Sequence, residues 1–210
     1  MLKIKNLSHY FVKWNWLFKN INFEIEKGAI WIFGPSGSWK STLLKIIWSL
    51  IKPKSGEIIF DWKNIFKQNF KFIQKYRSQI SWFAFQEFNL IDDLSVKENI
   101  LLPFSINKNL KLDSQWMKYL LKTLQIENLL EKNLSLVSWG EKERISIAKS
   151  MIHKPKILFL DEPGSYLNDE LKIQLYKLIS EYSKENIVII VSHDKNIWNY
   201  IDLKDKIYLL

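Results

Sequence analysis

The densest chemistry in this 210-residue chain lies in nine consecutive residues: Gly34, Pro35, Ser36, Gly37, Ser38, Trp39, Lys40, Ser41 and Thr42. Their spacing is that of a P-loop, G-x-x-x-x-G-K-[ST], in every slot except the second glycine, which is Trp39. In such a loop consecutive backbone N–H groups point inward and surround the β- and γ-phosphates of a nucleotide at a helix N-terminus. Lys40 would reach the phosphates, and the Ser41 hydroxyl would ligate Mg²⁺.

A second set of groups suits the same chemistry. The apolar run Ile157-Leu158-Phe159-Leu160 ends in two carboxylates, Asp161 and Glu162, about 120 residues after the P-loop. The first suits magnesium, usually through water, and the second can polarise an attacking water. Val191-Ser192-His193-Asp194 sets a histidine at the end of another apolar run, where open parallel sheets place their ligands. Gln86 ends the strand-like Phe83-Ala84-Phe85 and gains meaning only from its company. Val137-Ser138-Trp139-Gly140-Glu141 is a serine-glycine-glycine turn broken by tryptophan, as the P-loop is.

These groups need elements to hold them. Residues 2–7 and 21–26 read as strands joined by a turn around Lys13-Trp14-Asn15-Trp16. Residues 30–33 form a short apolar strand running into the P-loop, and 41–50 read as the helix that follows. That order of strand, loop and helix is the context a P-loop match requires. A hairpin is read at 58–63, with Asp61-Trp62 where Asp-Gly would be the ordinary turn pair. Residues 80–85 form a further strand. From about 87 to 145 the periodicity is helical, with apolar residues at three- and four-residue steps across 112–124 and 126–130. Residues 145–152 read as a helix. Residues 156–160 and 187–191 are nearly pure apolar runs, as in buried parallel strands, and the amphipathic stretch 171–182 completes a β-α-β unit.

Composition narrows the function classes. The length suggests one domain with room for an inserted subdomain, and 47% apolar content is ample for a core. Without cysteine there is no disulfide framework, thiol nucleophile or thiolate metal site. The first residues resemble a strand more than a signal peptide, and the apolar runs fall far short of the ~20 residues of a membrane span. The chain therefore reads as soluble and intracellular. A formal charge of +9 invites a nucleic-acid partner, but only Arg77 and Arg144 among 31 basic residues are arginine. The lysines are scattered among Ile, Asn and Phe, as AT-rich coding would give, without a basic stripe interleaved with aromatics. No nucleic-acid partner is expected. Attraction to an anionic membrane surface beside a membrane partner is equally compatible with the charge.

Together these stretches resemble the ATP-binding subunit of ABC transporters, over essentially the whole chain. Residues 34–42 match the P-loop, Gln86 the Q-loop, Ser138-Trp139-Gly140-Glu141 the signature, 157–162 the Walker B strand and His193 the H-loop. Tyr10 stands where the family places an aromatic that stacks on adenine. The signature discriminates, since many P-loop enzymes share the rest. Phe85-Gln86-Glu87-Phe88-Asn89-Leu90 and Glu98-Asn99-Ile100-Leu101-Leu102-Pro103 resemble the lipoprotein-release and macrolide-export branch.

The resemblance implies an α/β fold, a P-loop NTPase with a RecA-like core, an N-terminal antiparallel β subdomain and an inserted helical signature subdomain. On that reading 1–210 is a single domain, with 87–145 helical and 1–86 plus 146–210 forming the nucleotide-binding core. It implies ATP and Mg²⁺, with the metal at Ser41, Gln86 and Asp161, and the nucleotide between Tyr10, the P-loop and the signature Ser138, Trp139, Gly140 and Glu141. Glu162 would act on water, His193 on the γ-phosphate, and Gln86 would link magnesium to the coupling surface. Two such domains would dimerise head to tail, each ATP lying between one P-loop and the partner's signature. The pair would drive a membrane permease on another chain from the cytoplasmic face of the membrane. Asn168 departs from the aspartate usual in the D-loop, Pro163-Gly164-Ser165-Tyr166-Leu167-Asn168. A DNA-repair or translation ABC protein is disfavoured, because there is one nucleotide domain and no nucleic-acid module.

The tryptophans need their own account. The chain has 6 Gly and 10 Trp, together close to the about 15 glycines that average usage of about 7% predicts. An indole at 39 puts bulk where the backbone must approach phosphate and where glycine tolerates positive φ. At 139 the same bulk would face the other side of the nucleotide. Two readings follow. Either the chain is a catalytically impaired regulatory or scaffolding subunit, or most tryptophans are glycine in the native protein. Some genetic codes read UGA as tryptophan and others as glycine. Trp14, Trp16 and Trp62 in turns, Trp31 and Trp48 flanking the P-loop helix, and Trp82 favour the second, because loss of one site would not alter unrelated turns. Trp116 and Trp198, in helix-like contexts, have the weakest local case.

Overall fold

A computed structural model describes residues 1–13 and 15–209. The turn expected at 13–16 therefore lies partly outside the described residues, at Trp14. Two sheets stand on either side of the first helix's apolar face. The smaller is antiparallel, in the order β2-β1-β4-β5, from β1 (Leu2–Tyr10), β2 (Trp16–Ile25), β4 (Ser55–Phe60) and β5 (Lys63–Asn64). Its inward residues, including Leu2, Ile4, Phe23 and Ile58, pack against Leu43, Leu44, Ile46 and Ile47 of α1 (Lys40–Ile47). Helix α1 stops short of the expected residue 50, because Trp48 caps it and Ser49 turns left-handed at φ 64°.

The larger sheet is wholly parallel, in the order β6-β7-β8-β3-β9, from β6 (Ser81–Ala84), β7 (Ile157–Asp161), β8 (Ile187–Val191), β3 (Gly28–Phe33) and β9 (Leu203–Tyr208). β7 and β8 are buried at every position, which is why their sequences lack the polar alternation of a half-exposed strand. Helix α6 (Asp169–Ser183) crosses between them and covers one face through Leu175, Leu178 and Ile179. The edge strand β9 was not foreseen. Its burial is only partial along its length, so its sequence, Leu203-Lys-Asp-Lys-Ile-Tyr208, carries no apolar run.

Between β6 and β7 lies the helical insertion, α3 (Val96–Ile106), α4 (Ser114–Thr123) and α5 (Trp139–Met151). Helix α5 begins six residues before the expected 145 and crosses the boundary drawn there. Ser138 fixes its start by a capping box, accepting from the Glu141 N–H while Glu141 accepts from the Ser138 N–H. A short helix, α2 (Phe70–Lys75), continued by a π-turn over Tyr76–Ile80, also went unforeseen. It is anchored by Tyr76, whose buried hydroxyl donates to the Ile47 carbonyl.

The chain between β6 and α3 is tied down by one side chain. Fully buried Asn99 accepts from the Ile91 N–H at 2.8 Å, and its amide nitrogen lies 3.0–3.2 Å from the carbonyls of Ile91, Leu94 and Ser95. Asn99→Ala strips these partners from buried backbone groups. We expect it to lower stability by about 1–3 kcal/mol, read as a shift in the urea midpoint.

Candidate active site

The parallel sheet dictates the site. β6, β7, β8 and β3 are neighbours, so the segments leaving their carboxyl ends meet at one edge: Gln86, Asp161 with Glu162, His193, and the P-loop. They surround a cavity of about 570 Å³ whose walls include Lys40, Ser41, Gln86, Glu162, His193 and Trp39.

The P-loop wraps its own lysine. Lys40 is buried, and its ammonium donates to the carbonyls of Gly34 (3.1 Å) and Pro35 (2.8 Å) and to Ser38 Oγ (3.3 Å). Burial pushes its pKa down, and Glu162 and Asp161 push it back up. Gly34 lies at φ 156°, and a Cβ there would meet the Leu209 carbonyl oxygen at 2.2 Å, so the loop closes only around glycine. Trp39 holds the left-handed conformation, φ 64° and ψ 23°, at the N-cap of α1. Its indole stands half-exposed at the cavity, 6.0 Å edge-on from the ring of Phe11.

The carboxylates differ in surroundings. Asp161 is buried with Ser41 beside it, while its Oδ1 has no partner among the described residues. Burial raises its pKa, opposed by Ser41, Lys45 and Lys40. Glu162, at φ 54°, receives the His193 N–H on Oε2 at 3.0 Å and faces His193 Nε2 from Oε1 at 3.2 Å. Its pKa is also raised by burial first, against the lowering effect of His193 and Lys40. A half-buried hydroxyl beside an unpartnered carboxylate oxygen fits Mg²⁺, a hard cation that takes oxygen donors. Among the described residues no three His, Cys, Asp or Glu side chains cluster as a complete metal cage.

Not every expected residue meets there. Ser138, Trp139, Gly140 and Glu141 open α5 outside the cavity walls. Trp139 is 64% exposed and stacks on Tyr166 at 5.8 Å. Gly140 packs so close to the next loop that a Cβ would come within 2.9 Å of the Tyr166 carbonyl oxygen. The Tyr10 ring is engaged edge-on with Trp16 at 4.9 Å and lies beneath the Lys54 ammonium. Phe11, the residue after β1 ends, brings its ring to within 6.0 Å of Trp39 in the P-loop. Glu143 escaped sequence reading altogether. It is 4% exposed, and its carboxylate accepts from the N–H groups of Gly164 (2.7 Å), Ser165 (3.2 Å) and Tyr166 (3.0 Å). The available signal was a charge four residues before Ile147, on the buried face of α5.

A P-loop at one edge of a parallel sheet, facing an Asp-Glu pair and a histidine, with a capped helix inserted beyond it, defines an ATP-hydrolysing domain of the ABC class. The sequence profile of the ABC transporter family matches residues 18–165, and the chain belongs to that family. It is 33% identical over 201 residues to the ABC transporter ATP-binding protein YxdL of Bacillus subtilis, covering 92% of this chain and 78% of YxdL. It is 32% identical over 195 residues to the lipoprotein-releasing system ATP-binding protein LolD of Buchnera aphidicola, covering 91% and 86%. Against the macrolide export ATP-binding/permease protein MacB of Campylobacter jejuni it is 34% identical over 200 residues, covering 94% of this chain but 31% of MacB. The dimeric structure of the bacterial ABC transporter cassette MJ0796 superimposes with a TM-score of 0.87 at 29% identity, covering all of this chain and 94% of that one. Among the described residues no helix is long and apolar enough to cross a membrane.

The buried Asp161 sets a pH signature. Its folded pKa lies above the unfolded value, so the folded state binds the extra proton and stability falls as pH rises through that window. Asp161→Asn removes this cost. We expect a higher urea midpoint than wild type at pH 7 and none of that gain near pH 3, where the acid is protonated in both states.

Proposed function

We propose that this domain hydrolyses ATP in a head-to-tail pair and drives a membrane permease of the lipoprotein-release and macrolide-export type. The observation that carries the pairing is the separation within one chain. The cavity collects Lys40, Ser41, Gln86, Glu162 and His193, while the signature segment at 138–141 opens elsewhere. A second copy completes the site by bringing its own signature to the γ-phosphate. MJ0796, similar in fold over the whole chain, is described as a dimer. The branch rests on the segments 85–90 and 98–103 and on the likeness to LolD and MacB.

In this reading Lys40 exchanges its carbonyl partners for phosphate oxygens. Glu162 takes a proton from water as the water oxygen attacks the γ-phosphorus and the bond to ADP breaks. His193 holds Glu162 and meets the γ-phosphate, and Phe11, rather than Tyr10, offers its ring to the adenine. Ser41, Asp161 and Gln86 would hold magnesium, which would supply charge neutralisation at the phosphates. Phe85, the residue before Gln86, and Asn89, three residues after it, line an apolar groove of about 360 Å³ with Trp48, Arg77, Ile106 and Lys149. A permease segment seated there would feel Gln86 move, and would hold this domain at the inner face of the membrane.

Trp39 and Trp139 stand in the way, the first at the phosphates and the second on the surface offered to the partner's nucleotide. The test compares the protein as written with Trp39→Gly/Trp139→Gly. The double variant should hydrolyse ATP roughly 100-fold faster or more, the scale of losing preorganised phosphate donors. Adding Glu162→Gln should abolish that gain. Equal, negligible activity in both would favour the regulatory reading. The acid limb of kcat in the active variant should lie above the ordinary glutamate range, because burial raises Glu162.

A further inference from the structure

We infer that the positions written as tryptophan at 39 and 62 are glycine in the native protein, and that UGA codons read with the wrong table put indoles there. The backbone carries this independently of catalysis. β4 and β5 pair Phe60 with Lys63, leaving a two-residue turn whose central residues are Asp61 at φ 45° and Trp62 at φ 67°. Positive φ at both positions is the type I′ geometry that selects Asp-Gly or Asn-Gly. Trp62 is 84% exposed, so no packing of the indole repays that conformation. Trp39 holds the same left-handed region inside the P-loop. Among the described residues the only other aromatic there is Phe88, which is buried. Trp48 adds a third kind of misfit, a buried indole Nε1 without a partner. By contrast Trp31 and Trp116 are seated as indoles, donating from Nε1 to the carbonyls of Ser192 (3.0 Å) and Met151 (2.9 Å).

The codons and the native polypeptide test this. UGA at 39 and 62, with glycine in peptides from protein purified from its own cells, is the expected result. UGG at 39 and 62, or native peptides bearing tryptophan there, would overturn it. In recombinant protein Trp62→Gly should raise the unfolding temperature although it deletes a large side chain, and a fall would count against the inference. Inactive protein that carries glycine would sink the ATPase reading and leave this one standing.

A separate observation concerns Glu143. The geometry points to Glu143 as a positioning residue that locks the loop after Glu162 to the helix bearing the signature. Its two carboxylate oxygens take three consecutive N–H groups, Gly164 to Tyr166, and Gly140 lets the two segments touch. The role in turnover rests on the ATPase reading, so two readouts are needed. In Glu143→Ala, amide hydrogen exchange at 164–166 should quicken while β7 and β8 stay protected; unchanged exchange would refute the lock. In the glycine-bearing enzyme kcat should fall about tenfold with KM for ATP unchanged, and Glu143→Gln should recover part of it. A rise in KM alone, or full activity in a folded Glu143→Ala, would refute the role in turnover.

Discussion

Burial of a parallel sheet on both faces is the constraint from which the rest follows. β7 up to Leu160 and all of β8 can be apolar only because α6 and the insertion cover one side and α1 with the antiparallel sheet covers the other. Parallel pairing then sends every chain exit to the same edge. Polar groups that would be intolerable in the middle of β3, β7 or β8 sit at or beyond their carboxyl ends, where the hydrogen-bond ladder stops and water or phosphate can reach. The site is thus a consequence of where the core runs out.

That edge is electrostatically unfinished. Asp161 and Glu162 are both desolvated and pushed toward their protonated forms, while Lys40 is desolvated and pushed toward neutrality. The lysine settles on its own loop's carbonyls, and Asp161 keeps an oxygen without a partner. Each group lacks something a nucleotide and a divalent cation bring: anionic oxygens for the ammonium, positive charge for the carboxylates. Binding energy is stored here as unsatisfied polarity, at a cost to stability that a purely structural core would not carry.

The sequence made the core strands and the groups at their ends legible because burial writes itself as unbroken apolar runs, 157–160 and 187–191, each followed at once by polar residues. It was less informative where structure depends on side-chain hydrogen bonds. The start of α5 is set by the Ser138–Glu141 box, yet the apolar periodicity begins later, near Ile145, and drew the expected boundary with it. β9 and α2 lack a clear apolar signature because they lie partly exposed. Tyr10 closes β1, a strand with register irregularities, and Phe11 follows its end, so which ring faces the P-loop is decided by where pairing stops, which composition does not express. Glu143 was invisible because its partners are backbone N–H groups from 21 to 23 residues away.

The tryptophans show how physical reading separates a residue from its position. A side chain can be judged by its contacts, and by that measure Trp31 and Trp116 are well placed. A position can be judged by its backbone, which answers to hydrogen bonds and chain closure around it. Residue 62 closes a hairpin whose twist demands two left-handed residues, whatever side chain is written there. Residue 39 lies between a loop that must present N–H groups inward and a helix that must begin at Lys40. Each backbone is shaped for a residue without a Cβ, and each carries one of the largest. The ATP-binding fold survives this conflict because its core does not run through these turns; the phosphate grip does.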